Sequence, residues 1–157
     1  MKFNYYALRA IYLHEMDRFR RTLIQSLLSP VLSTSLYFIV FGSVIGDFVN
    51  NIDGISYGSY IVPGLLMLTL LTQSISNTSF GIFFPKFNGT IYEILAAPIS
   101  TFEIVLAFVS AGATKTLIVG FVIFCTSLFF VDVQVQYPLL MIFLLILVSF
   151  TFALFGF

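Results

Sequence analysis

The sequence predicts an all-α integral membrane protein. Three observations carry that prediction. Of the 157 residues, 59% are hydrophobic and only 9% are charged, with a mean hydropathy of +1.05. A soluble domain carries roughly 45–50% apolar and about 25% charged residues, so this chain cannot cover itself in water. The apolar residues gather into four long runs. Proline or polar residues mark the run edges, as expected where helices start and stop.

The first run covers about 30–46, or starts nearer Leu23, and is barely long enough for roughly 30 Å of hydrocarbon. The second covers about 60–84. The third covers about 102–131, long enough to tilt or project. The fourth starts at Pro138 and is still apolar at Phe157. Each of the five prolines falls at an edge in this reading: Pro30, Pro63 and Pro138 open spans, Pro85 closes the second, and Pro98 closes the segment after it. No Lys, Arg or polar cap follows Phe157, whereas spans normally end in an interfacial anchor. The expectation is one transmembrane domain over 1–157 that is incomplete at its C-terminus. No secretory leader is evident in residues 2–21, which are rich in charge and aromatics. The sequons at Asn77 and Asn88 are read as chance.

Basic residues set the expected orientation. Lys2, Arg9, Arg18, Arg20 and Arg21 precede the first span, and Lys86 follows the second. Segments 47–59 and 132–137 contain no Lys or Arg. The positive-inside rule then places the N-terminus and the 86–100 segment in the cytoplasm and the other two loops outside. Residues 1–22, with Phe3, Ala7, Ala10, Ile11 and Phe19 among charges, predict an amphipathic helix in the cytoplasmic interface, its arginines near anionic lipid; the alternative is a polar leader held near the membrane only by the first span.

The segment 85–100 is more than a turn. Asn88-Gly89 supplies a turn. Thr90-x-x-Glu93 fits a capping box, in which hydroxyl and carboxylate each satisfy an orphan backbone N–H. Ile91, Ile94 and Leu95 fall on one helical face, and Tyr92, Glu93 and Ala96 on the other. Ser100-x-x-Glu103 is a second capping box that starts the third span. By itself this pattern also fits a helical cap that merely closes the connection.

Polar residues inside the spans are the other candidates. Thr69, Gln73, Ser76 and Asn77 lie three or four apart and predict a stripe that avoids lipid, either lining a path or bonding a neighbouring helix. Lys115 lies well inside the third span, where a basic residue costs about 2.5–3.5 kcal/mol. It is placed at the depth of Gln73, with no acid expected at that depth. Lys115 is therefore left to snorkel, to face water or to pair with a segment outside this chain. Gly42-x-x-x-Gly46 and the small residues Ala107, Ser110, Ala111 and Thr114 predict close helix contacts. His14 and Cys125 each stand alone, without metal-ligand spacing. No phosphate-binding Gly-rich loop and no Ser/His/Asp constellation is present, so no catalytic, metal-binding or cofactor-binding residue is assigned.

Three stretches together resemble a known family. They are Glu15-Met16-Asp17-Arg18-Phe19-Arg20-Arg21, followed by Ser29-Pro30 and then Leu36 to Gly42; Val62-Pro63-Gly64; and Asn88-Gly89-Thr90-Ile91-Tyr92-Glu93 through Ala97-Pro98-Ile99-Ser100. Their order and spacing resemble the type 2 ABC-transporter permeases, bacterial exporters of drugs, lipo-oligosaccharides and polysaccharides. The resemblance implies a six-span permease, of which this chain holds about four spans. It also implies that 86–100 is a cytoplasmic coupling helix shaped by Gly89, Thr90, Tyr92, Glu93 and Pro98. The implied partner is a separate ATP-binding cassette protein, which binds the ATP, and the implied assembly is a permease homodimer in the inner membrane. The mechanism implied is alternating access, and nucleic acid is not an expected partner. The expected function is export of a hydrophobic, lipid-linked or saccharide substrate, with Gln73, Asn77 and Lys115 as candidates for the path or for contacts between helices. The alternatives are a non-transporting membrane scaffold and, third, a secondary transporter, against which the lack of an intramembrane acid counts.

Overall fold

A computed structural model describes residues 4–45, 57–130 and 137–157, with side chains for 4–41, 59–130 and 137–157. Among these residues all regular structure is helical: α1 (Tyr5–Arg21), α2 (Leu23–Tyr37) running on as a π-helix (Phe38–Ile45), α3 (Tyr57–Phe87), α4 (Ile91–Ala96), α5 (Thr101–Phe130) and α6 (Pro138–Gly156). Among the described residues four stretches are long and apolar enough to cross a membrane: Leu23–Phe41, Ser59–Phe87, Thr101–Phe130 and Pro138–Gly156. Gly46, the second glycine of the Gly42 motif, lies outside the described residues, as do most of the two loops expected outside.

Three of the prolines sit differently from expectation. Pro30 lies inside α2, and Pro63 and Pro85 lie inside α3. Membrane helices tolerate internal proline because side chains and local adjustment re-satisfy the freed backbone groups. Around Pro30, the Thr34 hydroxyl donates to the Pro30 carbonyl at 2.7 Å, the i−4 back-bond that accompanies a bent helix. Pro138 does open α6, and Pro98 follows the extended residue Ala97 that ends α4.

α5 is the centre of the bundle, with 14 of its 30 residues buried, against 3 of 19 in α6. α3 crosses it in the opposite direction: Leu70 meets Gly120, Thr78 meets Gly112, and Gly81 meets Phe108. α6 also runs antiparallel to α5, with Ala153 against Val109 and Ala113 and Phe157 beside Phe108. α3 and α6 run side by side, bonded by the Ser74 hydroxyl to the Ser149 carbonyl (2.6 Å) and the Ser79 hydroxyl to the Gly156 carbonyl (2.7 Å).

Small residues set these distances. A side-chain carbon on Gly112 would collide with the Thr78 hydroxyl, and one on Gly156 would lie 2.6 Å from the Ile75 carbonyl oxygen. The face of α5 used against α3 is Gly112, Thr116 and Gly120. The expected set of Ala107, Ser110, Ala111 and Thr114 is divided, with Ser110 and Thr114 only half-buried.

The expected N-terminal helix forms as α1, but it stands along a span rather than lying across the ends of the spans, as a helix in the plane of the interface would. It is about 25 Å long at 1.5 Å per residue and lies lengthwise on α5, in the same direction. Asn4 meets Glu103, Tyr12 meets Thr114, Glu15 meets Lys115, and Phe19 packs with Val119 and Ile123. Its opposite face, with Tyr5, Tyr6, Leu13 and the arginines Arg9, Arg20 and Arg21, is exposed.

Candidate functional site

The 86–100 segment begins where α3 ends. Gly89 takes φ +78°, the left-handed region that glycine enters without penalty, and its N–H returns to the Lys86 carbonyl. This is the turn predicted from Asn88-Gly89. Because Gly89 reverses the chain so sharply, Thr90 is already helical at φ −65°, ψ −16°, and its side chain makes no capping bond. An N-cap residue needs a non-helical backbone for its hydroxyl to reach the second or third N–H. The first capping box therefore does not form. The Gly89 and Thr90 carbonyls instead accept the N–H groups of Tyr92 and Glu93 at 3.2 Å each.

The second box forms by half and gains a partner. One Glu103 oxygen accepts the Ser100 N–H at 2.8 Å, and the other accepts the Asn4 N–H. A single buried carboxylate thus holds the end of the connector, the start of α5 and the start of α1 together. This role of Glu103 goes beyond the capping box that the sequence predicts. The capping pattern marked the residue, but nothing in the sequence pointed from it to Asn4.

α4 sits on the bundle through Ile94, and Ile99, beyond its end, joins it there. Ile94 and Ile99 pack on Ile82, Ile104 and Phe108, and Ile11 of α1 joins the same cluster. Leu95, expected on that face, is exposed along with Tyr92, Glu93 and Pro98. Tyr92 is 74% and Leu95 62% exposed, so the short helix offers an aromatic, an aliphatic and an acidic side chain outward. Among the described residues, this surface lies at the same end of the bundle as Lys86 and the start of α1.

Within the spans, Lys115 finds an acid, contrary to the expectation that none lies at its depth. Lys115 is buried and its Nζ lies 2.6 Å from Glu15 Oε2. The other Glu15 oxygen takes Arg18 Nη1 at 3.1 Å, and the Arg18 guanidinium lies 5.6 Å from the centre of the Phe84 ring. Lys115 therefore neither snorkels nor waits for an outside partner, because α1 brings the acid to it. The sequence did carry the signal. Ile11, Glu15 and Phe19 lie four apart, so the carboxylate falls in the middle of the apolar stripe of α1 and must face what the stripe faces.

The polar stripe of α3 is shifted by about one residue from expectation. Ser74 and Thr78 are fully buried, Ser76 is exposed and Gln73 is half-buried. Thr69 bonds back to its own helix at the Leu65 carbonyl. Asn77 donates to Thr116 Oγ1 at 3.3 Å, so its role here is a contact between α3 and α5. Thr78 Oγ1 is buried with no hydrogen-bond partner, held at the closest approach of the two helices over Gly112. Among the described residues no three His, Cys, Asp or Glu side chains gather to hold a metal ion.

The family model described as ABC-2 type transporter matches residues 6–157. The chain belongs to the ABC-2 type transporter family. Among curated proteins it is similar to the inner membrane transport permease YadH of Escherichia coli K12. The two are 37% identical over 156 residues, which is 99% of this chain and 61% of that protein. A protein of the same name in Shigella flexneri matches equally well. The chain thus spans 61% of the length of the curated relatives it matches. No solved structure matches. As an ABC-2 chain, it carries over nearly its whole length the likeness first drawn from the runs at 15–42, 62–64 and 88–100.

Proposed function

We propose that this chain is part of the membrane-spanning permease subunit of an ATP-driven exporter, and that its 86–100 segment docks on a separate ATP-binding cassette protein. ATP binding and hydrolysis belong to that partner. The permease works as a homodimer in the inner membrane, with the N-terminus and the 86–100 segment in the cytoplasm. The distribution of basic residues supports this orientation, since 47–59 and 132–137 have none. The proposed cargo is hydrophobic, lipid-linked or saccharide.

The observation that carries the reading is the build of the 86–100 segment. A connection between two antiparallel helices needs only a tight turn. Here the chain makes a left-handed turn at Gly89, a six-residue helix and a proline stop, and leaves Tyr92, Glu93, Leu95 and Pro98 exposed. Ile94 and Ile99 anchor the segment, so a push on its outer face reaches α3 and α5 through Ile82, Ile104 and Phe108. Alternating access then needs the cassette's two nucleotide states to contact this face differently.

Glu93→Lys tests the reading. In the intact permease it is expected to insert normally and to lose most of the co-purifying cassette protein. Unchanged co-purification would count against docking through this face.

A further inference from the structure

α1 touches every element that leads into or out of the 86–100 segment. Its first turn is bonded to Glu103, which also holds Ser100. Ile11 shares a cluster with Ile94 and Ile99. Tyr12 donates to Thr114 Oγ1 at 3.2 Å, and the Glu15 carboxylate sits against Gly81 of α3 while it binds Lys115. At its other end only Thr22 separates α1 from α2. Backbone bonds run across that junction, from Thr22 N–H to the Arg18 and Phe19 carbonyls and from Ser26 N–H to the Thr22 carbonyl. Phe19, Leu23 and Leu27 then continue one apolar seam on Val119 and Ile123.

We propose that Glu15 and Lys115 are positioning residues for the coupling step: their ion pair locks α1 onto α5 in a single register, so that the 86–100 segment, α5 and α1 move as one body and pass the movement to α2, the first span. The proposal rests on the docking function argued above.

The lock follows from which groups are available. A slip of α1 by one turn moves Glu15 by about 5 Å and breaks the pair. Glu15 keeps Arg18 on its own helix, so the cost falls on Lys115. No other described acid can replace Glu15. Asp17 faces outward, Glu93 is exposed on α4, and Glu103 is committed to Asn4 and Ser100. Apolar contacts such as Phe19 against Val119 tolerate sliding, whereas a buried charge does not. Fixing register is the best-attested use of a buried polar pair.

The test uses the intact permease with its cassette protein, in a Cys125→Ser background. Spin labels are placed at Leu13→Cys on α1 and Phe121→Cys on α5, both exposed positions. With the native pair, the label distance is expected to stay the same with and without ATP. The informative variant is Glu15→Met with Lys115→Met, which removes both charges and leaves none buried alone. It is expected to insert and to retain the cassette, yet to broaden the label distances and lower permease-dependent ATPase activity at least about fivefold, the rate equivalent of about 1 kcal/mol. A merely structural pair predicts wild-type activity in that variant, and that result would overturn the proposal. So would a nucleotide-dependent change of a helical turn or more, about 5 Å, between the labels in the native protein. Failure of the native permease to hold the cassette at all would instead reject the docking function on which the proposal rests.

Discussion

Lys115 shows how one residue changes its meaning when a partner arrives from far away in sequence. In the third span it is an unpaired charge, and in the folded chain it is half of a buried pair 100 positions apart. Removing one partner of such a pair typically costs about 3–5 kcal/mol, whereas replacing both with apolar residues of similar size is often neutral. Glu15→Gln is therefore expected to lower thermal stability in detergent sharply. Lys115→Met should cost less, because Glu15 keeps Arg18 at 3.1 Å. The double Met variant should lie closest to wild type. Equal losses for all three, read by thermal unfolding in one detergent, would contradict the pairing. The charge of Lys115 was legible in the sequence. Its partner was readable only in part, through the position of Glu15 between Ile11 and Phe19, because no pattern within α1 names the helix its stripe will meet.

At the scale of elements, α3, α5 and α6 are held by close backbone approach rather than by bulk. Gly112 sits under Thr78, Gly120 under Leu70 and Gly156 under Ile75. In lipid, helix association rests on such packing and on interhelical hydrogen bonds, here Ser74 to Ser149 and Asn77 to Thr116. Gly112→Val would press a branched side chain into Thr78. It is expected to destabilise the bundle by about 1–3 kcal/mol, the usual cost of overpacking. A thermal shift in detergent reads this, and a neutral result would mean that α3 and α5 do not cross at Thr78. The number and order of the membrane-length helices were legible from hydropathy. The helix bounds were less so, because proline marks helix edges in soluble chains, whereas Pro30, Pro63 and Pro85 lie inside membrane helices that tolerate them. The faces in contact were legible least, since small residues recur around α5 and only the fold selects Gly112, Thr116 and Gly120.

Across the whole molecule, α5 joins the exposed segment to everything else. Its first turn is fastened by Glu103 to both Ser100 and Asn4, its middle holds Glu15 through Lys115, and its far end meets the π-helix after α2, where Phe130 lies beside Phe38. The membrane class, the built connector and its family were legible in residues 15–42, 62–64 and 88–100, and the family match extends that to residues 6–157. The clasp formed by α1 was legible only in the place of Glu15 between Ile11 and Phe19, because the rest depends on contacts between segments about a hundred residues apart. The proposed docking requires the outer face of α4 to touch a cassette protein. A photo-crosslinking amino acid at Tyr92, which is 74% exposed, tests it most directly in the intact permease co-expressed with that partner. The expected result is a covalent adduct between permease and cassette whose yield changes with ATP. Efficient labelling of lipid or of the permease alone, with no cassette adduct while the two proteins co-purify, would contradict it.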